Sequence, residues 1–195
     1  MELSMNLDQA VVAAEAMAMK EIEAFGLPTL VHYNLSNTVG ARLAETRGAN
    51  VDIVKMGTAL MDLKLGEAFQ SGRLKDHVIM SMEAARAGLS GLLEKADLDA
   101  VLHCIEGHHG KIEFLSIEAE ICANADCYRF VHPLGSLTYL ATLGKRSLPE
   151  QALFKQSDAK LEEKWSVVSL SECRDELLPH YTALRQLLDA ASSMH

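Results

Sequence analysis

The sequence predicts an all-α fold, and three observations carry that prediction. Apolar residues recur at the three-, four- and seven-residue offsets of a buried helix face along most of the 195 residues. The stretches marked in this way are separated by residues that start or stop helices, chiefly Asn, Ser, Asp, Gly and Pro. No run alternates apolar with polar residues as a half-buried strand does, and no repeat or low-complexity linker interrupts the pattern. A hydrophobic content of 49% is enough for the core of one domain, residues 1–195.

Asn6 and Gln9 have the spacing of a capping pair for a first helix, which stops at Gly26-Leu27-Pro28. The second is expected over 29–47, closed by Gly48, with His32 on the same face as Leu35, Val39 and Leu43, so that its imidazole points inward. A third covers about 51–62 and breaks before Gly66, and a fourth covers about 74–93 with His77 in its first turn. Asp97 is the expected cap of a fifth, whose apolar positions Leu98, Val101, Leu102 and Ile105 lead to His108 and His109 at its C-terminal end. Ser116 opens a sixth, with Glu118 in the first turn, where the helix dipole favours an acid. On that helix Ala119, Cys122, Ala123, Asp126 and Phe130 share one face, which sets an acid on an apolar stripe. Pro133 and Gly135 break the next stretch before one short helix. Ser147 with Glu150, and Ser169 with Glu172, have the spacing of starts for two more.

Lys and Arg number 18 against 27 Asp and Glu, a net charge of −9. A polyanion is repelled by such a chain unless the cations are concentrated on one face, so no nucleic-acid polymer is expected as partner. A small phosphorylated ligand needs only a few local cations and stays open, as does homo-oligomerisation. The first ten residues, MELSMNLDQA, lack the positive start and apolar core of a signal peptide, and no apolar run reaches the roughly 18 residues of a membrane span, so a cytoplasmic location without membrane contact is expected. The four cysteines show no paired spacing and read as small buried thiols, and the nine methionines read as core filler.

His32, Asp62, His77, His108, His109 and Asp126 fall on inward faces or at helix ends. Burying an unpaired acid or imidazolium is costly, so such residues on separate helices call for a shared partner, either one another or a cation. Singly, each has an ordinary explanation as a satisfied core histidine or a helix-capping acid.

Their order along the chain resembles the HD-domain superfamily of metal-dependent phosphohydrolases, over about residues 28–130. His32 in VHYNLSNTVGARLAE is similar to the family's first histidine, GTALMDL to the segment with the His-Asp pair, and ANADCYRF to the helix with the last aspartate, Asp126. His77 in DHVIMSMEAA, with His108 and His109 in CIEGHHGKIEF, stands where two-metal members add histidines. The departure is Met61, which stands where the pair's histidine is expected and offers only a soft thioether.

The resemblance implies an HD-domain-like helical bundle with a C-terminal helical extension at about 147–195. It also implies one or two divalent ions, with Mn, Fe, Zn, Ni, Co and Mg not distinguished by sequence. A first ion would rest on His32, Asp62, Asp126 and water, a second on Asp62, His77 and the 108/109 pair. The implied reaction is hydrolysis of a small nucleotide or other phosphorylated metabolite. Lys64, Arg129 and Lys111 are the candidate cations for its phosphate, and Glu67 and Glu106 the candidate proton carriers. The segment DAKLEEKWSVV reads as an ordinary amphipathic helix with Trp165 in the core; folded over the site, it would bring Lys160 or Lys164 to the ligand. Two other readings stand beside hydrolysis: an HD-type di-iron oxygenase, and a domain that has lost catalysis with its histidine and serves ligand sensing or partner binding.

Overall fold

The computed structural model describes residues 2–146 and 148–193, with the backbone alone for residues 2–6. Ten α-helices run through these residues, with no strand among them: α1 (Glu2–Phe25), α2 (Leu30–Arg47), α3 (Val51–Leu60), α4 (Leu65–Gln70), α5 (His77–Leu89), α6 (Lys95–Gly107), α7 (Ile117–Val131), α8 (Pro133–Gly144), α9 (Glu150–Val167) and α10 (Ser171–Ser192). A 3-10 turn, Leu74–Asp76, leads into α5. No helix among the described residues is long and apolar enough to cross a membrane.

Capping chemistry sets several boundaries. The Thr29 side chain accepts the His32 amide at the start of α2, and Gly48 ends that helix at φ 66°, a left-handed conformation glycine adopts without strain. Asn50 accepts the amides of Asp52 and Ile53 at the start of α3, and Ser116 accepts that of Ala119 at the start of α7.

Other boundaries differ from the sequence reading. Asn6 lies inside α1, which is already helical at Glu2, so it is not the cap. The third helix ends at Leu60, and Met61–Lys64 turn back on themselves through Leu63 N to Leu60 O and Leu65 N to Asp62 O, both 3.0 Å. Gly66 then sits within α4 instead of marking a break. The expected helix over 74–93 divides into the 3-10 turn and α5, and Asp97 falls in the first turn of α6 behind the cap residue Glu94. Pro133 starts α8 instead of breaking it: its missing N–H costs nothing at the first helical position, and His132 caps by accepting the Leu134 amide. The capping expectation at Ser147 lies outside the described residues. The last helix begins at Ser171, one residue later than a cap at Ser169 would place it, and the Asn124 side-chain oxygen takes the amides of Ser169 and Leu170.

The core gathers around α7, which packs against α2, α3, α6, α8, α9 and α10. Its run Ile121–Arg129 is buried throughout. Small side chains at Ala119, Cys122, Ala123 and Ala125 let these neighbours approach, and all four cysteines are buried and unpaired. One close approach is at Gly57 of α3, where a Cβ would stand 2.6 Å from Cys104 Cβ and 2.7 Å from Cys122 Sγ. Gly57→Ala therefore has to push α3 away from α6 and α7. We expect a loss of about 1–3 kcal/mol, typical of an overpacked core, read as a lower urea midpoint with an unchanged denaturant slope.

Candidate metal centre

The turn after α3 sets Asp62 at a helix C-terminus, where the helix dipole disfavours an acid, in a position only 7% exposed. What holds it is α7. Arg129 Nη1 donates to Asp62 Oδ2 at 2.6 Å and to Asp126 Oδ1 at 2.9 Å, three residues back on its own helix. Lys164 reaches in from α9 with no solvent exposure and lies 2.5 Å from Asp126 Oδ2. Two buried carboxylates thus meet two buried cations. Burial alone would raise both acids; the Arg129 guanidinium drives Asp62 well below the usual carboxylate range, and Lys164 with Arg129 does the same for Asp126. Reciprocally, burial would lower Lys164 and Arg129, and the acids outweigh it and raise both.

Three histidines close the other side of Asp62. His77, at the start of α5, donates from Nδ1 to the Leu74 carbonyl at 2.7 Å, and His108, at the end of α6, donates from Nδ1 to the Ile105 carbonyl at 2.6 Å. A carbonyl only accepts, so Nδ1 carries a proton in each ring, and Nε2 is the nitrogen left for an ion. His77 Nε2 lies 3.3 Å and His108 Nε2 3.6 Å from Asp62 Oδ1, and the buried His108 Nε2 has no hydrogen-bond partner. His109 Nε2 is 3.2 Å from His77 Nε2, while its Nδ1 lies 2.8 Å from Lys164 Nζ. The ligand atoms of His77, His108 and His109 all lie within 4.8 Å of one another. Donors held about 2.0–2.2 Å from one ion at tetrahedral angles stand roughly 3.3–3.6 Å apart, close to these separations. The three imidazoles therefore fit a divalent ion, with Asp62 Oδ1 beside two of them as a neighbouring acid. The two backbone carbonyls that fix the His77 and His108 rings are the outer support such ligands need. The Lys164 ammonium donates to His109 Nδ1, which leaves the proton on Nε2. An ion bound there would take the His109 lone pair and leave Lys164 to Asp126 alone.

The first ion position inferred from the sequence, on His32, Asp62 and Asp126, does not fit. Asp62 and Asp126 already share the Arg129 guanidinium, and His32, which borders the same cavity, spends Nε2 on the Gly135 carbonyl at 2.8 Å. Met61 is buried and does not line the cavity. Lys64 and Glu67 are not brought to the site either: Lys64 Nζ pairs with Glu21 at 2.6 Å and with Glu67 at 2.8 Å. The residue whose position the sequence reading discounted is Lys164. A lysine in a charged helix ordinarily meets water, and only the packing of α9 on α7 buries it.

A cavity of about 730 Å³ opens over the cluster, with Asp62, His77, His109, Asp126 and Arg129 among its lining. Phe69, Phe130 and Tyr139 supply apolar wall, and Lys75, Lys111, Arg146 and Lys160 supply cations, with Glu106 and Glu163 between them. Arg146 lies over the Phe69 ring at 4.4 Å.

The fold is shared with a structural-genomics target from Lactobacillus plantarum, at 16% identity and a TM-score of 0.65 over 95% of this chain and 96% of that one. It is shared equally with Bacillus subtilis YpgQ, at 17% identity and a TM-score of 0.64 over 99% and 97% of the two chains. The fold is thus all-α and HD-domain-like, with additional C-terminal helices. In sequence the chain is similar to enzymes named Ribonuclease Y: 28% identical over 166 residues to that of Symbiobacterium thermophilum, covering 83% of this chain and 30% of the enzyme. With that of Finegoldia magna it shares 31% over 109 residues, covering 56% and 20%. The chain thus spans less than a third of the length of the curated relatives it matches. No protein-family model matches it.

His32 offers a test of this geometry. Burial first, and the nearby Arg129 second, pull its pKa from 6.5 down to about 4. Between those two values the unfolded chain holds a proton that the folded chain does not, so stability falls as pH drops through the window. In EDTA, His32 should account for a loss of about 2–3 kcal/mol between pH 7 and 4.5. His32→Gln, whose amide still donates to Gly135 but does not titrate, should flatten the corresponding slope of Tm against pH.

Proposed function

We propose that the chain is a metal-dependent phosphohydrolase acting on a small nucleotide or other phosphorylated metabolite. The observation that carries this reading is the triad of His77, His108 and His109 beside Asp62, of which His77, His109 and Asp62 line a cavity whose other lining groups include several cations. When bound there, a divalent ion would lower the pKa of a water molecule and neutralise charge on a phosphoryl oxygen. The chain's own residues supply the rest. His77 and His108 present Nε2 from rings fixed by backbone carbonyls, and Asp62 stays ionised under Arg129. Lys75, Lys111 and Lys160 offer charge to the substrate's remaining phosphate oxygens, and Phe130 and Tyr139 offer apolar surface to its organic part. Glu106 and Glu163 border the same space and are the candidate proton carriers; Lys64 and Glu67, paired with each other elsewhere, take no part.

The similarity to enzymes named Ribonuclease Y favours RNA phosphodiesters as a second substrate class. The net charge of −9 weighs against a long polyanion. The di-iron reading is weakened because Arg129 lies where one of two ions would sit. The non-catalytic reading predicts no metal-dependent turnover.

Elemental analysis of protein reconstituted with Mn, Co, Ni, Zn or Mg, followed by assay of phosphate monoesters, mononucleotides and a short oligoribonucleotide, tests the reading. Turnover of the small esters that EDTA abolishes is the expected result; cleavage of the oligoribonucleotide alone would transfer the assignment to RNA. His77→Ala and His108→Ala should each weaken metal affinity by at least about 10–100-fold, the range seen even for outer-shell changes. Retention of full turnover by both variants would end the proposal.

A further inference from the structure

Arg129 is buried to 2% exposure, yet a single nitrogen makes all of its side-chain hydrogen bonds among the described residues. Nη1 clamps Asp62 and Asp126, while the buried Nε has no partner and the residue borders the cavity. A guanidinium normally spreads its five donors over partners in its plane, and the edge formed by Nε and Nη2 matches two oxygens of a phosphate. Asp62 and Asp126 are the two acids that an ion in the first position would need. With Arg129 and Lys164 against them, the charge balances without any ion. A divalent ion placed between those acids would have to displace the guanidinium or sit in direct contact with it, without the countercharge its burial requires.

We infer that Arg129, backed by Lys164, is a resident cation that replaces the first metal ion, leaving a one-ion centre, and that its Nε–Nη2 edge receives the phosphoryl group. This deepens the functional reading above and rests on it for the substrate class, whereas the exclusion of a second ion stands on the geometry alone. It also assigns α9, the helix before the last, a direct part in the charge of the site.

The experiment counts Mn2+ per chain by elemental analysis after reconstitution and removal of excess metal, and measures inorganic phosphate binding by calorimetry in EDTA. The wild type should hold one ion. Met61→His should still hold one, because the guanidinium remains. Arg129→Gln with Met61→His should gain one further equivalent. Two ions in the wild type or in Met61→His would overturn the inference, as would no gain in the double variant. Should the double variant not fold, the counts for the first two proteins decide alone. A wild type with no ion would defeat the functional reading and the one-ion centre, while the replacement of the first ion by Arg129 would still be decided by the double variant, which should then rise from none to one. Arg129→Lys keeps the charge but loses the fork, and should weaken phosphate binding about tenfold; equal binding would overturn the phosphoryl role.

Discussion

The structure depends on a guanidinium shared by two buried acids. Asp62 and Asp126, at 7% and 1% exposure, come from a turn and from the most buried helix of the molecule. Neither would stay ionised there alone, since taking an unpaired carboxylate out of water costs more than folding can supply. Arg129 joins them, and in doing so ties the end of α3 to the middle of α7. Removing one member of such a cluster costs about 3–5 kcal/mol, because the others are left buried and uncompensated. The clamp therefore fixes geometry as well as charge: Asp62 Oδ1 is left facing His77 and His108 because Oδ2 is taken.

The histidine side of the centre follows from the placement of helix ends. His77 begins one helix and His108 ends another, and each spends Nδ1 on a carbonyl of the adjoining turn, so both rings are oriented before any ligand arrives. His109 differs in leaning on Lys164, a side chain, and is the donor whose role changes with occupancy. The centre is thus asymmetric: a rigid pair of imidazoles and an acid, with a third imidazole coupled to a lysine.

Much of this was legible in the sequence. The start at Ser116, the stop at Gly48 and the acid on the apolar stripe of α7 are local signals, and local physics fixes them. Asp62, His77, His108, His109, Asp126 and Arg129 are brought together, because each sits on an inward face or at a helix end. What was not legible depends on contacts between distant segments. Lys64, two residues from Asp62, follows the turn outward to Glu21, a partner 43 positions away. His32 points inward as its helix face requires, but it finds the Gly135 carbonyl, because α8 starts directly at Pro133. Lys164 carries no signal of burial, since nothing local distinguishes it from the lysines around it.

The reach of Lys164 bears on how far the centre can be treated as a module. Half of the countercharge on Asp126 arrives from outside residues 28–130, on a helix joined to the rest through the stretch after Gly144. A graft of the shorter segment onto another scaffold would carry the acid without that neutraliser and would leave the α9-covered side of α7 wet. The charge balance around Asp126 would then differ from that of the parent, with no residue of the cluster altered. Chain length in this sense sets the electrostatics of the buried acids.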